Sequence, residues 1–405
     1  MPLNNYIYSQ SPVLKERFYS LDIFRGATVC LMILVNNPGS WAHIYPPLDH
    51  APWHGLTPTD LVFPFFLFAV GNALSFVMPR LEAGGDAMFW RKVGIRSLLI
   101  FAIGLFLTWW PFIKWTDHGL AFRPWYYVDA QGNPQGVRIL GVLARIALCY
   151  FFASIIIYYL KARKAFYFGL LILLGYWLMA YLLGDHADPY SMTGYFGNKV
   201  DKAVLGIAHM YKGEGIPFDP EGIMSTLPAI VQVIFGYLVG DYIRQKGKNT
   251  EMISGLFVVG VGMLITGFCW DMVFPINKKI WTSSYVVYTT GLAIITIATM
   301  IYLVELKGVK LWASKFFDVF GKNALFVFAL SAFLPKLLWL IRIPNGTDDH
   351  GKTIYTDPWH WYYLKICAKI PGDPRIGSLA FAISFILFMW VICYWMDKRK
   401  IYVKV

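Results

Sequence analysis

The stretch that decides the fold is LVFPFFLFAVGNALSFVM at residues 61–78, which contains no Lys, Arg, Asp or Glu. A helix needs about 20 apolar residues to cross a bilayer. Similar runs recur along the 405 residues, of which 57% are hydrophobic and only 15% charged, whereas soluble domains carry about 25% charged residues. The composition excludes a soluble globular enzyme, a disordered chain and a secreted disulfide scaffold. An outer-membrane barrel is also excluded, because its strands alternate apolar and polar residues.

The apolar runs predict an all-α, polytopic membrane helix bundle of about ten transmembrane helices, forming a single domain over residues 1–405. An even number of spans places both termini on the same side of the membrane. We expect the first run to be a span, with no signal peptide before it. The predicted spans are 19–37, 57–79, 95–112, 137–160, 165–184, 225–243, 253–275, 281–306, 316–341 and 377–396.

The distribution of basic residues predicts the orientation. The segments on the side of the termini hold 18 Lys and Arg in 64 residues, against 12 in 123 residues on the other side. Because cytoplasmic loops are enriched in Lys and Arg, both termini should be cytoplasmic, and we expect a bacterial inner membrane. The net charge of +12 then reflects topology and needs no nucleic acid partner. The five cysteines are interpreted as packing residues, without a metal or disulfide role.

The first outer loop is the strongest candidate for chemistry, because it holds three histidines and no Lys or Arg. His50 lies close in sequence to two carboxylates, Asp49 and Asp60, either of which can orient an imidazole. A neutral imidazole is well suited to act as a base or acyl acceptor near pH 7. His50 and His54 have a spacing that could instead bind a metal. A proline and a glycine between or beside them oppose one helical face, so we predict no metal.

A second signal is polar residues inside the predicted spans, where they are costly and usually face a polar interior. They are interpreted either as structural ion pairs or as the lining of a cationic cavity that opens to the cytoplasm and suits a nucleotide phosphate. Arg138 lies at a span end, where it can reach water, and is given no role. Neither a dinucleotide-binding nor a P-loop glycine motif is present. The intramembrane candidates are Arg25, Arg145, Lys322 and Asn323.

A third signal is the stretch Phe218-Asp219-Pro220-Glu221-Gly222, just before the sixth predicted span. Turn and cap chemistry alone explains these residue types. Two carboxylates at the outer membrane surface can equally hold sugar hydroxyls or an amine. The sequence leaves both interpretations open.

Taken together, these residues resemble heparan-α-glucosaminide N-acetyltransferase and its bacterial relatives. The likeness extends over nearly the whole chain from residue 17 onwards, and its combination of motifs is specific. The stretches that carry it are 20–26, 35–36, 50–57, 60–64, 138–143 with Arg145, 218–222, 278–285 and 321–324.

The resemblance implies a transmembrane acetyltransferase that takes acetyl from cytoplasmic acetyl-CoA and delivers it to an amino sugar on the other side of the membrane. The family's active histidine falls on His50 and its nearby asparagine on Asn36. We expect His50 to act as general base or transient acetyl carrier, Asn36 to donate to the carbonyl, and Asp60 to orient His50.

Two further groups of residues complete the predicted site. Arg25, Arg145, Lys322 and Asn323 are expected to hold acetyl-CoA, the acetyl donor. The acceptor sugar is expected to contact Trp53, His54, Asp219 and Glu221.

Two other functional classes fit part of the pattern. A secondary transporter of sugars or small anions would explain ten spans and intramembrane charges. A structural membrane protein would leave the polar first outer loop unexplained. A helix bundle of this kind also allows a homodimer, which the sequence does not decide.

Overall fold

The computed structural model describes residues 18–116, 119–309, 312–347 and 351–403, apart from the side chain of Trp312. It confirms an all-α polytopic membrane bundle. The helices are α1 (Tyr19–Asn36), α2 (Val62–Ala83), α3 (Gly85–Trp109), α4 (Val142–Leu183), α5 (Phe196–Leu205), α6 (Ile223–Lys246), α7 (Thr250–Asp271), α8 (Ser283–Ile301), α9 (Trp312–Lys322), α10 (Ala324–Leu338), α11 (Pro358–Lys365) and α12 (Pro374–Lys398).

Within the described ranges, 8 helices are long and apolar enough to cross a membrane, or up to 9 if a bent pair counts as one span. Helix α4 has 42 residues, a length of about 63 Å at 1.5 Å per residue, which is twice the thickness of a bilayer core. Lys161 interrupts it with a φ of 60°. If the bent pair counts as one span and the two halves of α4 count as two, the total is ten, as predicted.

The predicted span 316–341 is not one straight helix. Residues Ala313–Lys322 and Ala324–Leu338 meet at 82°. Asn323 lies at the break with non-helical backbone angles. Its side-chain nitrogen donates to the carbonyl of Ile401, and its side-chain oxygen accepts from the amide of Val403.

The connections between α3 and α4 and between α10 and α11 contain short strands that the apolar pattern did not predict. They form three antiparallel two-stranded sheets within the described chain. The strands are β1 (Ile113–Thr116) with β2 (Gly119–Phe122), β3 (Tyr126–Val128) with β4 (Pro134–Gly136), and β5 (Ile343–Thr347) with β6 (Thr353–Thr356).

Helices α2 and α6 pack with their backbones in close approach. A Cβ at Gly71 would lie 2.0 Å from the carbonyl oxygen of Val233, and one at Gly236 would lie 2.2 Å from that of Phe68. Such small residues let membrane helices meet through van der Waals contact. The two helices run in the same direction, and the contacts put the start of α2 level with the start of α6.

We predict that Gly71→Ala destabilises the bundle, because the added methyl group meets a backbone oxygen that cannot move independently. The expected cost is roughly 1–3 kcal/mol, seen as a lower Tm in detergent. Gly94→Ala on α3 is the matched control, since nothing lies within 4 Å of its Cβ position. Equal melting temperatures for the two variants would contradict the packing argument.

Candidate active site

The carboxylate of Asp60 is buried at the end of the loop that joins α1 to α2. Its side chain is 2% exposed and lies in the short 3-10 helix Pro58–Leu61 that leads into α2. One carboxylate oxygen accepts hydrogen bonds from the amides of Ala51 (3.0 Å) and Thr57 (3.1 Å). Thr57 and Asp60 form a capping box at the start of this helix. Asp60 therefore fixes the path of the loop that carries His50.

The other oxygen of Asp60 meets His50. Nδ1 of His50 lies 2.7 Å from Asp60 Oδ1, and the His50 side chain remains 41% exposed. Because a carboxylate can only accept, Nδ1 carries the shared hydrogen, and in the neutral imidazole the lone pair is then on Nε2. This is the geometry of a base held by an orienting carboxylate.

Lys278 completes the cluster, although no role was predicted for it beyond the family likeness. Its ammonium lies 3.4 Å from Asp60 Oδ1 and 3.1 Å from Nδ1 of His50. Burial lowers the pKa of Lys278 against the opposing effect of the Asp60 charge. Apart from that likeness, the sequence signal was a pair of lysines in the short connection between α7 and α8.

Backbone contacts hold the Lys278 loop against the His50 loop. The amide of Gly55 donates to the carbonyl of Ile276 at 2.8 Å. The hydroxyl of Tyr285, in α8, donates to the carbonyl of Asp60 at 2.5 Å. Two segments more than 200 residues apart in sequence are thus joined into one site.

A cavity of about 210 Å³ opens beside His50, Asp60 and Lys278. Arg138, Glu214 and Glu221 also line it, together with Trp53. Residues from four separate parts of the chain therefore converge on one small polar space.

The prediction that Arg138 only reaches water at a span end was wrong. It binds both carboxylate oxygens of Asp219 and also contacts Glu221, and its guanidinium lies 4.6 Å from the ring centre of Tyr211. The Asp219 side chain is fully buried, whereas that of Glu221 is 12% exposed and faces the cavity. Burial raises the pKa of Glu221, but the charges of Arg138 and Arg145 outweigh it and leave this pKa below its usual value.

Arg145 lies near this cavity and not in the middle of a span. Helix α4 begins at Val142, later than predicted, so Arg145 falls in its first turn. Its fully buried guanidinium contacts the Gly222 carbonyl and the Ser225 hydroxyl, and lies 5.1 Å from the ring centre of Trp281. Arg145 therefore belongs to the His50 end of the bundle.

The other predicted cofactor residues lie at the opposite end. Arg25 donates to the Gly321 carbonyl at 2.8 Å and pairs with Asp22 one turn earlier in α1. Lys322 pairs with Asp318 and Asp397. The structure does not gather Arg25, Arg145 and Lys322 into one cationic cluster.

The remaining predicted residues separate in the same way. Trp53 lines the cavity and donates to the Tyr190 carbonyl at 2.9 Å. His54 is exposed, with Nδ1 3.4 Å from the Asn277 amide nitrogen. Asn36 is exposed at the end of α1, and no hydrogen bond joins it to His50 among the described residues. Of these three, only Trp53 faces the same space as His50.

The N-terminal ends of several helices border this space. Such ends carry about half a positive charge and favour anions. The converging ends stabilise the carboxylates of Asp60 and Glu221, and they suit an oxyanion formed during a reaction. The helices are the Pro58–Leu61 turn leading into α2, and α4, α6 and α8.

Two curated proteins resemble the chain. Heparan-alpha-glucosaminide N-acetyltransferase of Homo sapiens is 27% identical over 368 residues, which cover 78% of this chain and 52% of that protein. The chain is thus similar to a heparan-alpha-glucosaminide N-acetyltransferase over about three quarters of its length. The Mus musculus protein of the same name is 25% identical over 366 residues, which cover 77% and 53% of the two chains. No protein-family model matches the chain.

The resemblance predicted from the sequence is thus confirmed. The chain spans about half the length of the heparan-alpha-glucosaminide N-acetyltransferases that it matches.

A second buried carboxylate supports the start of α6. Asp201, in α5, accepts from the amide of Ile223 at 2.8 Å and is 2% exposed. Burial, reinforced by the nearby charge of Asp219, raises the pKa of Asp201 to about 6. The folded protein therefore holds this proton at a pH where the unfolded chain has released it.

The wild type should become less stable as pH rises, because Asp201 must ionise while buried. We predict that Asp201→Asn abolishes this decrease in stability. The unfolded carboxyl ionises near pH 4 and the folded one near pH 6, so the wild type loses about 3 kcal/mol across this window. Asparagine keeps the acceptor for Ile223 but does not ionise. The difference in Tm, variant minus wild type, should grow from about pH 4 to about pH 7. A constant difference would contradict the buried-carboxyl argument.

Proposed function

We propose that the protein transfers acetyl from cytoplasmic acetyl-CoA to the amino group of a sugar at the opposite face of a bacterial inner membrane, with both termini cytoplasmic. The observation that carries this proposal is the hydrogen bond between His50 and Asp60 at the edge of a polar cavity. The similarity to N-acetyltransferases supports the acetyl chemistry.

The proposed step makes one bond and breaks one. The amino nitrogen of the sugar attacks the thioester carbonyl, and Nε2 of His50 takes the proton that this nitrogen loses. The carbon–sulfur bond then breaks, and the CoA thiolate leaves and is protonated by the imidazolium. Asp60 holds His50 in the tautomer that starts the cycle and stabilises the imidazolium.

Positive charge near His50 supports the oxyanion that forms at the acetyl carbonyl. Lys278 lies 3.4 Å from Nε2 of His50, and helix N-terminal ends border the same cavity. Preorganised charge of this kind is usually a large term in acyl transfer. Asn36 lies outside the cavity, so we assign the supporting role to Lys278.

Acidic residues across the cavity favour an amino sugar as the acceptor. Glu221 is held by Arg138, and Glu214 is paired with Lys279 at 2.6 Å. These carboxylates can bind an ammonium or sugar hydroxyls, while the Trp53 ring offers an apolar face to a pyranose. Trp53 and Glu221 therefore remain proposed acceptor contacts, with Asp219 acting behind them through Arg138.

A second cavity, beside the middle of α2, suits the donor. It has a volume of about 260 Å³ and is lined by Arg25, Asn72 and the rings of Phe18, Phe24 and Phe76. Asn72 is 3% exposed, and both polar atoms of its side chain lack a hydrogen-bond partner among the described residues. Arg25 supplies a cation for a phosphate, and the rings can stack on adenine.

The two cavities are close enough to share one donor molecule. Asn72 lies twelve residues along the helical path from Asp60, a distance of about 18 Å. An extended pantetheine arm spans such a distance.

We predict that His50→Ala lowers the transfer rate by about 10²–10⁴, the usual loss of a general base. The measurement is single-turnover transfer from radiolabelled acetyl-CoA to a panel of amino sugars, with purified protein in detergent. His54→Ala is the matched control, because His54 lies in the same loop but outside the cavity.

The control should retain near-wild-type activity, and both variants should elute as the wild type does in size exclusion. A wild-type rate in His50→Ala would remove the catalytic assignment. Sugar uptake into vesicles without acetyl-CoA, unchanged in His50→Ala, would instead favour a transporter.

A further inference from the structure

A crevice separates α2 from α3 at the end of the bundle away from His50. The two helices are joined by the turn at Gly84 and Gly85, but they pack on different partners. Helix α2 packs on α6, whereas α3 packs on α4, where a Cβ at Gly104 would lie 2.9 Å from Leu143. The space left between them has a volume of about 810 Å³.

One stripe of α3 faces this crevice. Met88, Lys92, Ile95, Arg96 and Leu99 follow each other at the spacing of a single helical face. The apolar members are open to the outside: Ile95 is 51% exposed and Leu99 46%. Two cations are thus set among exposed apolar side chains on one face.

The other walls give the crevice a polar mouth and an apolar interior. Val77 of α2 is 40% exposed on the facing wall, and the guanidinium of Arg96 lies 4.9 Å from the ring centre of Tyr150. Arg91 adds a third cation. No carboxylate lines the crevice in the described chain, and none of the three cations forms an ion pair with a described residue.

We infer that this crevice binds one anionic glycerophospholipid of the inner leaflet, with its phosphate between Lys92 and Arg96 and an acyl chain against Val77, Ile95 and Leu99. The charge of the mouth matches an anionic headgroup, and basic pockets between membrane helices bind such lipids. The exposed apolar stripe is continuous with the lipid-facing side of α3, which favours a lipid over a soluble anion. This inference does not depend on the proposed acetyl transfer.

The test is a titration of the detergent-solubilised full chain with phosphatidylglycerol, with bound lipid counted by native mass spectrometry. The double variant Lys92→Ala/Arg96→Ala should bind about fivefold more weakly for each cation removed. Arg163→Ala/Lys164→Ala is the matched control. It removes two exposed charges from the same end of the bundle, just after Lys161, which pairs with Glu82 of α2.

The control should bind phosphatidylglycerol as the wild type does, and Lys92→Arg/Arg96→Lys should retain the affinity. The wild type should bind phosphatidylcholine more weakly than phosphatidylglycerol. Equal losses in the two alanine pairs, no preference for phosphatidylglycerol, or displacement of the lipid by acetyl-CoA would each overturn the inference.

Discussion

The proposed centre depends on the contacts that the buried carboxylate of Asp60 makes with its neighbours. A charge placed at the edge of the membrane must be paired, because desolvation of an ion costs several kcal/mol. Asp60 meets this requirement with two backbone amides, the Thr57 hydroxyl, the His50 imidazole and the Lys278 ammonium. These partners come from two distant loops, so satisfying one charge also builds one site.

Helix packing brings those loops to the same level. Glycines let the backbones of α2 and α6 touch, and the parallel course of the two helices sets their N-termini side by side. The start of α8 joins them through Tyr285. The resulting concentration of helix N-termini offsets the cost of burying carboxylates there and favours negative charge in a reacting group.

Much of the fold could be predicted because apolar runs report membrane spans directly. The number of spans followed from them, and so did the break at Lys161, which falls between the predicted spans 137–160 and 165–184. The bend at Asn323 did not, because it lies inside a single predicted span. His50 and Asp60 were accessible because they are ten residues apart. Lys278 was not, because its contact with His50 spans 228 residues. Arg145 was predicted well inside a span, because the partly apolar residues 137–141 were counted as its beginning. These residues are not helical, so Arg145 lies in the first turn of α4.

The central claim is that Asp60 acts through His50, and a double-mutant cycle tests it most directly. Single-turnover acetyl transfer would be measured for the wild type, His50→Ala, Asp60→Asn and the double variant, each checked for folding by size exclusion. Because residues that act as a unit are strongly non-additive, the double variant should be no slower than His50→Ala. Losses that multiply would show that the two residues act independently, which would contradict the account.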